Sequence, residues 1–225
     1  MLTGIILLCV LGMAVQAAFI AVEHRKKYVG AVCLKGMASL IFIVIGVIAF
    51  GAARDTAFAR LVLIGLILGG VGDVLLNLRF VFEKMGQKIF LAGIAAFLAG
   101  HILYLAALIP QSVNLPLCAV IGVIAAAAIL AYIFKTMKVK LAFKIFGVFY
   151  IGAVILMTAV AIGNLIAAPS AARWLYAVGA VLFTASDIVL IFNTFGSETK
   201  FSMRIANLSL YYLGQLLIAG SLFLI

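Results

Sequence analysis

The chain has 225 residues, of which 68% are hydrophobic and only 10% are charged. A soluble domain is about 45–50% apolar and about 25% charged, so this composition excludes a soluble globular protein and indicates an integral membrane protein. The net charge of +10 comes mainly from basic residues in the connections between apolar runs. That placement points to anionic lipid headgroups and membrane orientation, and away from nucleic acid.

The apolar runs are long and continuous, unlike the short alternating segments of a membrane β-barrel. A helix needs about 20 mostly apolar residues to cross the hydrocarbon core, and eight windows of the chain qualify. They cover residues 2–22, 28–50, 59–79, 88–109, 115–134, 143–166, 172–194 and 205–225. We therefore predict an all-α fold, a polytopic bundle of eight transmembrane helices, and expect residues 1–225 to form a single domain with no soluble appendage.

Basic residues concentrate in every second connection. The odd-numbered connections carry twelve of the sixteen: Arg25, Lys26, Lys27, Arg79, Lys84, Lys88, Lys135, Lys138, Lys140, Lys144, Lys200 and Arg204. The even-numbered connections carry only Arg54, Arg60 and Arg173. The positive-inside rule then places the odd-numbered connections in the cytoplasm and both termini outside. We expect the membrane to be a bacterial inner membrane.

The two halves of the chain show a weak internal similarity. An offset of 114 residues pairs Asp73 with Asp187, Phe97 with Tyr211, Gly100 with Gly214, and His101 with Gln215. Helices three and four would then correspond to helices seven and eight in the same orientation, as in a parallel 4+4 repeat. Coincidence between low-complexity helices is the alternative, because the first two helices of each half add little support.

Three ionisable residues other than histidine lie well inside predicted helices: Lys35, Asp73 and Asp187. A charge at the bilayer centre costs at least about 2.5–3.5 kcal/mol, so such residues pair, face a cavity or take part in chemistry. Lys35 could neutralise one aspartate and lock two helices together, but the other aspartate would remain unexplained. This indicates a functional role for at least one of them.

Further polar side chains lie at similar depth. At about 1.5 Å per helical residue, the polar groups of six helices fall in the half nearer the odd-numbered connections or close to the midplane. These are Lys35, Asp73, His101, Tyr150, Asp187 and Gln215. Asn77, Tyr104 and Tyr211 lie three or four residues from one of these and therefore share its face. We predict a polar pocket that opens toward the cytoplasm or the inner leaflet, with a hydrocarbon floor.

Five motifs carry a resemblance to a known family. They are Lys35 in the second helix, GDVLL in the third, FLAGHILY in the fourth, FTASDIVL in the seventh and YYLGQ in the eighth. These five motifs, their order along the chain and the helices that carry them resemble those of the YhhN-type lysoplasmalogenases. Members of that family are integral membrane alkenyl ether hydrolases. Many members have proline after the second-helix lysine, where this chain has Gly36.

The resemblance implies a lysophospholipid substrate. The reaction would cleave the vinyl ether bond of a lysoplasmalogen to give a fatty aldehyde and a glycerophosphoethanolamine or glycerophosphocholine. Enol ethers hydrolyse through protonation of the outer vinyl carbon and capture of an oxocarbenium ion by water. That chemistry needs a neutral acid, a stabilising carboxylate and a base.

We therefore expect Asp73 and Asp187 to be catalytic, one as the acid and the other as stabiliser and base, with the assignment open. Lys35 is expected near the phosphate. The other expected substrate-binding residues are Asn77, His101, Tyr104, Tyr150, Tyr211 and Gln215. No cofactor and no metal are expected, because no cluster of histidines and carboxylates has ligand spacing. The partners are membrane lipids, and the oligomeric state stays open.

Two other functions use the same residues. A small proton-coupled transporter would also place paired aspartates in a cavity between repeats, but would need a polar path to both faces. Gly70 to Asp73 also match the GxGD pattern of intramembrane aspartyl proteases. In those enzymes, however, GxGD lies on the later aspartate helix and its partner is a Tyr-Asp pair, whereas here the partner is Ser-Asp.

Overall fold

The computed structural model describes residues 2–137 and 141–225, and within these ranges the chain folds into eight long α-helices. They are α1 (Leu2–His24), α2 (Tyr28–Phe50), α3 (Thr56–Leu78), α4 (Gly86–Leu108), α5 (Leu115–Thr136), α6 (Leu141–Ala167), α7 (Ala171–Phe195) and α8 (Phe201–Ser221). Each is long and apolar enough to cross a membrane. The predicted fold class is therefore confirmed.

The helices extend beyond several predicted windows. α3 begins at Thr56, three residues early, because the Asp55 side chain accepts a hydrogen bond of 3.0 Å from the backbone N–H of Phe58. α8 begins at Phe201, four residues early, and so contains Arg204. Hydropathy windows stop at polar residues, whereas a helix continues through them until its backbone hydrogen bonds end.

The two ends of the bundle are built differently. At the even-numbered connections, Asp55, Asn114 and Ser170 each accept a hydrogen bond from the first turn of the helix that follows, as N-cap residues do. At the odd-numbered connections, the residues before α2, α4 and α8 make no such bond. Basic residues occupy this second end instead. Lys138 and Lys140, which the sidedness prediction used, lie outside the described residues.

Helix bounds fit the predicted repeat. Shifting α1 to α4 by 114 residues reproduces the bounds of α5 to α8 to within three residues at every end. Contacts between the halves follow the same relationship, since α4 packs against α6 and α8 packs against α2. The first two helices of each half show little sequence similarity, but their bounds also match at this offset.

Glycines mark the closest helix crossings, again at the same offset. A Cβ atom on Gly100 would lie 3.1 Å from the backbone oxygen of Gly65, so α3 and α4 touch backbone to backbone. A Cβ atom on Gly214 would lie 2.8 Å from the backbone oxygen of Gly179, which joins α7 to α8. Small residues allow such close approach between membrane helices, and these two crossings position the helices that carry Asp73 and Asp187.

Candidate active site

Asp73 lies at the centre of a buried polar cluster. Only 1% of the residue is exposed, and its carboxylate is 3.2 Å from the Lys35 ammonium. Ser39 and Tyr211 each donate a hydroxyl hydrogen bond of 2.6 Å to the same carboxylate oxygen. Helices α2, α3 and α8 thus converge on this side chain. The partners of this carboxylate are therefore one cation and two hydroxyl donors.

A chain of ionic contacts leads from Asp73 to the basic end of the bundle. Lys35 donates to the side-chain oxygen of Asn77 at 3.3 Å, and the Asn77 amide donates to Glu23 at 2.9 Å. Arg204 then holds Glu23 with two hydrogen bonds, of 2.7 and 2.9 Å. This ionic chain, Asp73–Lys35–Asn77–Glu23–Arg204, contains two cations and two carboxylates and is therefore neutral.

Asp187 lies in a different environment. It is 4% exposed, and Tyr150 on α6 donates a hydrogen bond of 2.7 Å to one of its carboxyl oxygens. Among the residues that the structure describes, no lysine or arginine forms an ion pair with it. An unpaired carboxyl group surrounded by apolar side chains costs much less as the neutral acid than as the anion.

One apolar cavity joins the two aspartates. Its wall comes from α2, α3, α4, α6, α7 and α8 and is mostly aromatic and aliphatic, with Lys35, Asp73, Tyr150, Asp187 and Tyr211 among its polar members. The apolar members include Phe90, Ile94, Phe97, Phe143, Ile151, Phe183 and Leu190. A mostly apolar cavity with a few convergent polar groups is the usual form of a small-molecule site.

Tyr104 and Gln215 support the site from behind the cavity wall. Tyr104 donates to the Gln215 side-chain oxygen at 3.1 Å, and the Gln215 amide donates to the Tyr211 hydroxyl at 3.4 Å. Tyr211 in turn donates to Asp73. Hydrogen bonds in such a series polarise one another. Tyr104 and Gln215, which the sequence predicts to bind substrate, are therefore linked to Asp73 through the Tyr211 hydroxyl.

His101 is also buried but is not one of the residues that form the cavity wall. Its Nδ1 atom lies 2.7 Å from the backbone oxygen of Phe97, within the same helix. The Phe183 ring, which does line the cavity, packs edge-on against it at 4.5 Å between ring centroids. The geometry gives His101 a packing position behind Phe183.

A second, polar recess lies at the basic end, and we call it the vestibule. It is lined by Glu23, His24, Lys26, Tyr28, Arg79, Phe80, Leu190, Asn193, Thr194, Thr199, Lys200, Phe201 and Arg204. Leu190, Thr194 and Arg204 line both the vestibule and the cavity. The two spaces therefore adjoin each other at these three side chains.

The glycines before Asp73 serve packing. A Cβ atom on Gly72 would lie 2.6 Å from the Phe97 ring, and one on Gly69 would lie 2.8 Å from the Gln215 amide nitrogen. These positions admit α4 and α8 side chains next to α3. The GxGD match is thus accounted for by helix contacts around the carboxylate.

Three residues of the site escaped the sequence reasoning: Ser39, Glu23 and Arg204. Ser39 is short and common in membrane helices, so nothing in the sequence distinguishes it. The sequence pattern assigns Arg204 to a polar connection and gives Glu23 no role. A usable signal existed for Glu23, because it is an acidic residue two positions before the basic run Arg25–Lys27. Among the described residues, no group of three or more His, Cys, Asp or Glu side chains is placed to hold a metal ion.

The fold and the site define an eight-helix membrane protein in which two buried aspartates from corresponding helices meet one apolar cavity. The chain belongs to the YhhN family, whose model matches residues 30–222. That range contains all five motifs of the resemblance, which is confirmed. No curated protein and no solved structure matches the chain.

Proposed function

We propose that the protein hydrolyses the vinyl ether bond of lysoplasmalogens, and that Asp73 and Asp187 carry the reaction. One observation carries the proposal: two buried carboxyl groups with different partners line the same apolar cavity. Membership of the YhhN family supports the assignment. An apolar cavity suits an alkenyl chain, and the adjoining polar vestibule suits a glycerophospho headgroup.

The partners of the two aspartates suggest which is the acid. Asp187, which has no cationic partner among the described residues, is proposed to be the neutral acid, with Tyr150 bonded to one carboxyl oxygen and the acidic proton on the other. Asp73, ionised beside Lys35, is proposed to stabilise the positive charge that develops on the substrate. Fixed charges in a dry site act strongly on such a charge because little water screens them.

The proposed reaction then proceeds in three steps. Asp187 transfers its proton to the outer vinyl carbon, which converts the carbon–carbon double bond to a single bond and leaves an oxocarbenium ion at the ether carbon. Water adds to that carbon and returns a proton to Asp187, giving a hemiacetal. Collapse of the hemiacetal breaks the bond to the glycerol oxygen, which takes a proton as the hydroxyl loses one. The products are a fatty aldehyde and a glycerophospho compound.

The alternatives fit the geometry less well. An aspartyl protease needs two carboxyl groups that share a proton and a water, whereas Asp73 is committed to Lys35, Ser39 and Tyr211. A transporter needs a polar path to the opposite face. At that face, the Asn164 and Arg173 side chains donate to the helix-end carbonyls of Leu108 and Ala168, respectively. These polar groups are therefore bound within the protein and do not mark a polar path.

The test is aldehyde release by the purified protein from an alkenyl glycerophosphoethanolamine. The same lipid with a saturated alkyl ether serves as the control substrate, because it has no vinyl carbon to protonate. Asp73→Asn and Asp187→Asn should each lower the rate by at least about 100-fold. Asp55→Asn is the matched control, since Asp55 caps α3 at the opposite end and asparagine caps equally well. Absence of aldehyde release by the unmodified protein, or full activity in both site variants, would overturn the proposal.

A further inference from the structure

Two of the four Lys and Arg side chains that line the vestibule, Lys26 and Arg79, form no ion pair among the described residues. Arg204 is held by Glu23, and Lys200 forms an exposed ion pair with Glu198. Arg79, at the C-terminal end of α3, forms no ion pair within residues 2–137 and 141–225, and its Nε atom is buried without a hydrogen-bond partner. A buried charged donor without a partner is costly, so a ligand that accepts hydrogen bonds from Arg79 would stabilise this end of the protein.

Two aromatic rings fix the position of the Arg79 side chain. The centre of its guanidinium lies 4.6 Å from the Phe80 ring centroid and 4.2 Å from the Phe90 ring centroid. Phe90 lines the cavity, and Phe80 lines the vestibule together with Arg79. Burial, together with the Arg204 charge, lowers the pKa of Arg79 to about 10, so the group remains a cation at neutral pH. Stacking on rings holds a guanidinium in place at a small entropic cost.

Charge balance indicates the class of ligand. The ionic chain from Asp73 to Arg204 is neutral, so Arg79 and Lys26 leave the vestibule with a positive charge. A phosphodiester carries one negative charge and presents two oxygens in the geometry that a guanidinium fork matches. Such a group beside Arg79 would neutralise it and satisfy the buried donor.

We propose that the vestibule is the headgroup subsite, in which Arg79 binds the phosphate of the lysophospholipid. The proposal deepens the proposed function and rests on it for the identity of the lipid. Only a glycerol unit separates the phosphate from the ether bond of a lysoplasmalogen, and the vestibule adjoins the cavity at Leu190, Thr194 and Arg204. Lys35, which the sequence placed near the phosphate, is bound to Asp73 and Asn77, so Arg79 takes that part.

The test compares two lipids that resist hydrolysis: a 1-O-alkyl glycerophosphoethanolamine and the matching 1-O-alkylglycerol, which lacks the phosphate. Binding to the purified full-length protein in detergent is measured for Arg79→Gln, Arg79→Lys and Arg25→Gln. Arg79→Gln should weaken binding of the phospholipid by roughly 10- to 100-fold and leave alkylglycerol binding unchanged. Arg79→Lys should fall between, because lysine retains the charge but loses the fork.

Arg25→Gln is the charge-matched control, since Arg25 is exposed at the same end and does not line the vestibule. Its binding of both lipids should equal that of the unmodified protein. Thermal unfolding of each variant, without lipid, separates loss of binding from loss of fold. Equal weakening of both lipids by Arg79→Gln, or no weakening of either, would overturn the proposal.

Competition experiments distinguish the sources of phosphate. Glycerophosphoethanolamine and inorganic phosphate should each displace the alkyl phospholipid in an Arg79-dependent manner, at higher concentration. Displacement by phosphatidylglycerol but by neither soluble phosphate would instead identify a site for bilayer lipid and contradict the proposal. If the protein releases no aldehyde yet binds the phospholipid through Arg79, the hydrolase assignment fails and the phosphate site stands.

Discussion

Lys35 on α2 and Asp73 on α3 form a buried ion pair, with 3.2 Å between nitrogen and oxygen and no more than 3% of either side chain exposed. Removing two charges from water costs several kcal/mol per ion, and their attraction often repays only part of that. A pair of this kind therefore contributes little net stability. Its consequence for the site is that Asp73 has a cationic partner, whereas Asp187 has none among the described residues.

Lys35→Met should destabilise the protein more than most single substitutions. It leaves the Asp73 carboxylate buried without its cation, and breaking a buried pair in this way costs about 3–5 kcal/mol. The double variant Lys35→Met with Asp73→Asn should recover much of that loss, because no unpaired charge remains, but should stay inactive. Chemical unfolding in detergent and the aldehyde assay together check both parts. Equal stability of the single and double variants would contradict the expected coupling.

Tyr150→Phe tests the support of the proposed acid. The change removes the hydroxyl that donates to Asp187 at 2.7 Å and keeps the ring in the cavity wall. We expect a fall in kcat of about 10-fold, with a loss of stability of at most about 1.5 kcal/mol. Tyr132→Phe is the control, because Tyr132 lies 57% exposed on α5 and should change neither quantity. Full activity of Tyr150→Phe would show that the Asp187 carboxyl group needs no alignment by this bond.

The number and order of the helices and the burial of the two aspartates followed from the sequence, because hydropathy and the cost of buried charge are local properties. The partners did not follow. Whether Lys35 neutralises an aspartate or binds phosphate depends on the rotation of α2 against α3, which the sequence pattern leaves open. Glu23 and Arg204 lie 181 positions apart, so no local pattern joins them. His101 lies at the expected depth, yet its ring packs against Phe183. Depth along a helix gives the height of a residue in the bundle but not the direction in which its side chain points.

The glycine crossings give a prediction about the fold itself. In Gly214→Ala, the new methyl group would lie 2.8 Å from the Gly179 backbone oxygen. Backbone atoms at a crossing cannot move aside cheaply, so we expect a loss of about 1–3 kcal/mol of stability. Gly220→Ala on the same helix is the control, since, apart from its own helix backbone, no atom of the described residues lies within 4 Å of its Cβ position. That variant should gain about 0.5–1 kcal/mol, as alanine favours the helix. The prediction fails if the two variants unfold at the same denaturant concentration.

Gly147 provides a way to narrow the cavity without touching its polar groups. It lies on the face of α6 that carries Phe143 and Tyr150 into the cavity wall. Apart from its own helix backbone, no atom of the described residues lies within 4 Å of its Cβ position. Gly147→Leu would therefore place an isobutyl group in open space beside the proposed alkenyl chain. We expect KM to rise several-fold for long-chain lysoplasmalogens and much less for short-chain ones, because only a longer chain would fill the space that leucine takes.

Gly152→Leu, five residues further along α6, is the matched control. Its Cβ position is equally open, and Gly152 does not line the cavity. Both substitutions replace a helical glycine and should stabilise α6 by a similar amount, about 0.5–1 kcal/mol, so a difference in KM between them reports on the cavity alone. If both variants showed the same chain-length profile, the chain would have to lie outside the cavity wall formed by α6. The proposed position of the alkenyl chain beside Asp187 would then be wrong, because Tyr150, the hydrogen-bond partner of Asp187, projects from that same wall.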